Sequence, residues 1–231
     1  MLGGYYYYDV TYILVLIGFA FTMFASFGVN STFNKYKDVM NRHGLTGAMA
    51  ARRILDANGL HHVQIVRIAG NLTDNFNPKT NVVSLSDSTY NSTSVAAIGV
   101  AAHECGHAVQ YQTGYAPIKV RNGIYPVVRI GNMAAMPLFI IGLFLGLGDL
   151  AMFGALLFGL VLIFQLVTLP VEFNASTRAI RTLEGMYMLD DEEIKGAKKV
   201  LKAAAMTYVA AAASTALQFL RLVMLANRRR D

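Results

Sequence analysis

The sequence predicts a mainly α-helical, integral membrane chain with a small β-hairpin or sheet set among its helices. Three observations carry that class. Hydrophobic residues make up 55% of the chain and charged ones only 15%, a low charge content for a soluble domain. The apolar residues gather in blocks at 10–29, 130–147, 150–170 and 203–226, long enough for three to four transmembrane helices. Between the first two blocks lies a polar stretch, 30–129, in which helical periodicity gives way to strand-like alternation.

In chain order, Met1–Asp9 carries no Lys or Arg, and Val10–Val29 is apolar or small throughout. A signal peptide would need a basic leader and a cleavage site, and neither is present, so the block reads as an anchor. Lys35 and Lys37 are the first strong positive charges. By the positive-inside rule they put the C-terminal end of this span in the cytoplasm. The run Tyr5–Tyr8 reads as an interfacial aromatic belt. Residues 45–59 predict an amphipathic helix capped by Thr46, buried through Ile54 and Leu55, and ended by Asn58-Gly59. Arg52 and Arg53 on it read as a solvated or headgroup-facing pair. Val63–Ile68 and Val82–Ser86 alternate as strands, with the turn-rich Asn75–Asn81 between them. They form either a purely structural hairpin or an edge on which an extended peptide pairs.

A helix over 94–112 follows, with Ser92, Thr93 and Ser94 offering N-cap hydroxyls and Gly114, before Pro117, as its stop. Ile130–Leu147 and Leu150–Pro170, joined by Gly148-Asp149, read as a hairpin across the membrane and back. Residues 171–202 are polar again, and Asp190–Glu193 marks a solvated, acidic helix start followed by Lys195, Lys198 and Lys199. Ala203–Ala226 contains Gln218 and Arg221 and ends in Arg228–Arg230. As a span it would put those arginines outside, against the charge rule, so spanning, re-entrant and packed readings stay open. The net charge of +6 is spread around the apolar blocks, which favours membrane flanks over a nucleic-acid surface. One cysteine, Cys105, excludes an intramolecular disulfide.

The chemistry centres on His103-Glu104-Cys105-Gly106-His107, an H-E-x-x-H pattern. Positions i and i+4 share a helix face, so His103 and His107 can present two imidazoles to one metal ion. Glu104 sits beside them as a general base rather than a ligand. Cys105 points off that face and reads as packing. A catalytic zinc takes a third protein ligand. Glu172 stands just past the third apolar block, on a helical face with Ala175, Ser176 and Ala179, where a second helix can approach closely. Its rival role is an ion pair with Arg178 or Arg181 at the headgroups. His43, His61 and His62 flank turns and read as surface histidines.

Leu45–Ala48, Ala51–Leu60, Gly70–Asp74, Ala101–Gln110, Gly114–Pro117, Leu166–Ser176 and Met206–Ala211 resemble the bacterial YugP-type membrane zinc metallopeptidases over nearly the whole chain. The resemblance implies a zincin-like neutral Zn2+ peptidase in the bacterial plasma membrane; the apolar blocks and the positive-inside rule make it multi-pass, with its site facing the cytoplasm. It implies His103, His107 and Glu172 as metal ligands, Glu104 as base, and a peptide or membrane-protein substrate among membrane lipids. A more distant similarity is to HtpX/Ste24-type membrane peptidases, whose E-x-x-x-D element has Ser176 here in place of Asp. That leaves open which group orients His103 or His107. Arg178 is the nearest donor in sequence for a tetrahedral intermediate, and several tyrosines compete, so the role is unassigned. A zinc-binding adaptor without catalysis is the alternative, against which the intact Glu104 argues. A transporter is weaker still, because beyond Gln165, Gln218 and Arg221 little in the apolar blocks could line a polar path.

Overall fold

The computed structural model describes residues 9–228; the run Tyr5–Tyr8 and Arg229-Arg230 lie outside the described residues. The elements are α1 (Tyr12–Tyr36), α2 (Gly47–Ala57), β1 (Gln64–Ile68), β2 (Asn75–Asn77), β3 (Val82–Ser86), α3 (Asp87–Tyr90), α4 (Val95–Gln112), α5 (Ala116–Phe144), α6 (Gly148–Gly185) and α7 (Asp191–Asn227). The chain is mainly helical with one small sheet, and α1, α5, α6 and α7 are long and apolar enough to cross a membrane. It divides into two compact units. One holds the described residues up to Phe24, Ile124–Leu166 and those from Val209 on; the other holds Ala25–Gly123 and Val167–Tyr208.

In the first unit, Phe139, Ala151, Ala155, Leu222 and Ala226 form the buried centre. Gly142 lies against the Ala151 backbone and Gly154 against that of Phe139, so each helix contributes a glycine whose missing side chain lets the other's backbone come close. Their turn is made by Leu145–Leu147, with Gly146 in the left-handed region at φ 69°. Phe19, Phe24, Ile130 and Phe144 face outward from this unit, as lipid-facing side chains do. Arg221, inside the last apolar block, is matched: its guanidinium is 3.0 Å from Asp9 Oδ2 and lies over the Tyr12 ring. The Ala203–Ala226 block itself belongs to one unbroken helix, with no re-entrant break.

In the second unit, α2, the sheet, α4, the end of α6 and the start of α7 enclose one core around Leu55, Leu85, Ile98 and Leu183. The sheet has the order β1-β3-β2. The expected hairpin of 63–68 with 82–86 is corrected, because those two strands run parallel. The antiparallel partner of β3 is Asn75–Asn77, within the stretch expected to be turn only. Phe76 earns that short edge strand by packing its ring on Tyr111, and Pro78, with no N–H to donate, ends it. Both expected helix starts form: Thr46 accepts from Met49 N–H, and Ser94 from Ala97 N–H. Gly59 and Gly114 adopt φ of 71° and 61° just past the ends of α2 and α4.

Two expectations fail here for the same reason, a polar side chain recruited to backbone groups. Arg52 is not simply solvated, since it donates to the carbonyls of Val63 and Leu60 and clamps the link from α2 to β1. Glu193 is not solvated either. It is buried, accepts from the N–H of Asp190 in a capping-box arrangement, and accepts from the N–H of Arg42 with its other oxygen.

Ser94 is fully buried at the start of α4. Replacing it with Ala leaves an orphan N–H at that helix start, and we expect a loss of about 1 kcal/mol of stability, read as a lower unfolding temperature in detergent.

Candidate metal centre

Helix α4 is rich in small residues and buried on most of its surface, so neighbouring helices approach its backbone closely. The closest approach is at Gly106, inside the H-E-x-x-H run. A Cβ there would lie 2.7 Å from the carbonyl oxygen of Ala175 on α6. Glu172 is one turn earlier on α6, which continues unbroken from the third apolar block through Pro170 to Gly185. The close approach therefore sets Glu172 opposite His103 and His107.

The structure brings these three together. Glu172 Oε2 is 3.4 Å from His103 Nε2 and 3.5 Å from His107 Nε2. One ligating atom from each residue falls within 4.8 Å of the others. Glu172 Oε2 is buried and accepts no hydrogen bond, a costly condition for a carboxylate oxygen unless a cation satisfies it. The donor set of two imidazoles and one carboxylate, with an orphaned oxygen between the nitrogens, fits a zinc-type ion.

A chain of obligate donors fixes which nitrogen of His107 faces that point. Arg178 Nε can only donate, and it is 2.8 Å from Asn174 Oδ1. The same oxygen accepts from Gln110 Nε2, which also donates to the Val171 carbonyl at 2.8 Å. Gln110 Oε1 must then face His107 Nδ1, 3.0 Å away, as acceptor. The proton therefore sits on Nδ1 of neutral His107, and its Nε2 lone pair is directed at Glu172. His103 Nδ1 is 3.1 Å from Ser176 Oγ, so that serine touches the imidazole directly. Sequence reasoning missed Gln110, whose spacing of three from His107 is its one visible trace.

Glu104 is buried and lies outside the three-residue cluster. Burial raises its carboxyl above the ordinary range, while the two imidazoles oppose that shift. At His107 burial disfavours the charged ring, but the carboxylates of Glu172 and Glu104 outweigh it and raise its pKa. Two clefts of about 270 and 220 Å3 open on the site, and both are lined by Asp74, His103, Glu104, Glu172 and Tyr208. Arg121 NH1 lies 3.9 Å from Glu172 Oε1 on the larger cleft. Arg178 is on neither: besides Asn174 it lies over the Tyr115 ring, so the donor nearest in sequence belongs to the orienting chain instead. His43, His61 and His62 are exposed and away from the cluster. Cys105 is buried with its thiol against the Ala51 carbonyl, and burial pushes its pKa up.

A family model described as "Putative neutral zinc metallopeptidase" matches residues 11–227. Among curated proteins, "Putative membrane protease YugP" of Bacillus subtilis (strain 168) is 44% identical over 218 residues, covering 94% of this chain and 97% of the relative. No solved structure matches the chain.

Two outcomes follow from the geometry. Gln110→Leu removes the acceptor for His107 Nδ1–H, and we expect zinc affinity to fall about 10- to 100-fold in a chelator competition, with the fold retained by circular dichroism. Because the nearby carboxylates favour the charged His107 ring and raise its pKa, zinc competes with the second proton, the one on Nε2, while Nδ1–H stays on Gln110. Affinity measured from pH 6 to 8 should therefore rise with pH, and Gln110→Leu should alter the slope.

Proposed function

We propose that this chain, which belongs to the neutral zinc metallopeptidase family, is a membrane-bound zinc-dependent endopeptidase held by His103, His107 and Glu172 at its metal and served by Glu104 as general base. The observation that carries this reading is the buried, unpartnered Glu172 Oε2 facing both imidazole nitrogens. Zinc bound there supplies Lewis acidity, acidifying a water to a pKa of about 7 and polarising a carbonyl. Glu104 takes the proton of the attacking water and delivers it to the leaving amine. A carboxyl raised by burial is suited to both steps, since it must accept the proton and then release it. Gln110 and Ser176 hold the two imidazoles in position for the metal.

Lys35, Lys37, Lys119, Arg121 and Arg129 flank the apolar blocks on the side of residues 30–129. They support a plasma-membrane protein whose catalytic region, 30–129 with 171–202, faces the cytoplasm as one membrane-embedded domain. Its substrate is then a peptide or a membrane protein presented at that face. Glu104, buried beside the ligands and lining both clefts, weighs against a purely metal-binding adaptor.

The test is metal content of detergent-purified wild type, Glu104→Ala and Glu172→Ala, with cleavage of a peptide pool followed in the same samples. We expect roughly one zinc per chain in the first two, depletion in Glu172→Ala, and cleavage by wild type alone. Full zinc in Glu172→Ala would remove Glu172 from the ligand set. Zinc bound as expected, with no cleavage by wild type, would turn the reading to an adaptor.

A further inference from the structure

We propose that Tyr208 is a catalytic residue, the hydrogen-bond donor that stabilises the tetrahedral oxyanion of peptide hydrolysis; the proposal rests on the peptidase reading above. Acyl transfer places negative charge on the former carbonyl oxygen, and a donor aimed at that charge is worth several kcal/mol. The donor has to come from the surface where both clefts meet the metal cluster. Five residues line both: Asp74, His103, Glu104, Glu172 and Tyr208.

Four of the five have no donor to offer. Asp74 is an acceptor whose oxygens already receive the N–H and O–H of Ser86, at 2.8 and 2.9 Å. Glu172 is an acceptor as well, and the proton that Glu104 takes from water is the one it passes to the leaving nitrogen. His103 faces Glu172 with Nε2 and Ser176 with Nδ1. Tyr208 is half-buried on α7, lines both clefts together with Glu172 and Glu104, and carries a phenolic O–H.

Neighbouring donors are engaged or line only one of the two clefts. The Thr207 hydroxyl, beside it in the smaller cleft, donates to the Ala204 carbonyl at 2.6 Å. Tyr111, whose oxygen accepts from Asn122 and whose O–H is not used by that bond, is an exposed ring in the larger cleft alone. Arg121 also lines only the larger cleft, and it directs its charge at Glu172 Oε1.

The step balances without a further reactant. The water oxygen bonds to the carbonyl carbon, the C=O π pair moves to oxygen, and Glu104 takes the water proton. Tyr208 donates its hydrogen bond to that oxygen and keeps its proton throughout. The carbonyl then re-forms, the C–N pair leaves with nitrogen, and nitrogen receives the proton from Glu104.

The experiment compares zinc-loaded full-length wild type and Tyr208→Phe in detergent. The readouts are zinc content, thermal unfolding, kcat and KM on a peptide that wild type cleaves, and affinity for two probes. One probe is a phosphinic peptide, which presents tetrahedral oxygens; the other is a hydroxamate, a planar metal chelator. For Tyr208→Phe we expect wild-type zinc and unfolding, kcat lower by about 100- to 1,000-fold and little change in KM. Its phosphinate affinity should fall while its hydroxamate affinity holds. A Tyr208→Phe protein with wild-type kcat and phosphinate affinity overturns the assignment alone. Zinc lost from Tyr208→Phe also overturns it, making the tyrosine a support for Glu172. Wild type that holds zinc but neither cleaves nor binds phosphinate overturns the peptidase reading, and this assignment with it.

Discussion

The site depends on one close approach, the backbone of α4 at Gly106 against that of α6 at Ala175. Any Cβ at position 106 would meet a carbonyl oxygen at 2.7 Å, and a carbonyl in mid-helix is not free to move aside. Separating the two helices would carry Glu172 away from both imidazoles and expose its carboxylate to water. The second x of the H-E-x-x-H run is thus a spacing element as consequential as the histidines it lies between.

The same approach makes the surrounding polarity directional. From Arg178 through Asn174 and Gln110 to His107, each group has its role set by the one before it. It begins at a guanidinium that cannot accept and ends at a lone pair facing Glu172. His103 is handled differently, by a hydroxyl that can turn either way. One imidazole is therefore held in a defined tautomer, while the other can adapt as charge at the centre changes.

Much of this was legible in the sequence because local chemistry determined it. Thr46 and Ser94 cap the helices they were expected to cap, Gly59 and Gly114 follow the helix ends, and the apolar blocks fall in the four long helices. His103, His107 and Glu172 lie together because an i, i+4 pair and a small-residue face are patterns that a sequence displays. The misreadings have a common origin. Glu193 and Gln110 are polar residues whose partners lie far off in sequence, and Arg52 reaches carbonyls eight and eleven residues on, past the end of its helix; no periodicity reports such partners. The sheet failed similarly: parallel pairing of β1 with β3 depends on the path of the segment between them, and a three-residue edge strand built on Phe76 is too short to alternate visibly.

The pairing of Asp9 with Arg221 bears on how such a chain is made. The partners are separated by 212 residues, so the carboxylate leaves the ribosome long before the guanidinium that satisfies it. At typical synthesis rates that interval is on the order of 10–40 s. Through it the first helix has its carboxylate without its partner, and closure of that ion pair must await the last segment. A chain cut short before Arg221 would leave that acid, at the start of its first apolar helix, with only its hydrogen bonds from Thr11.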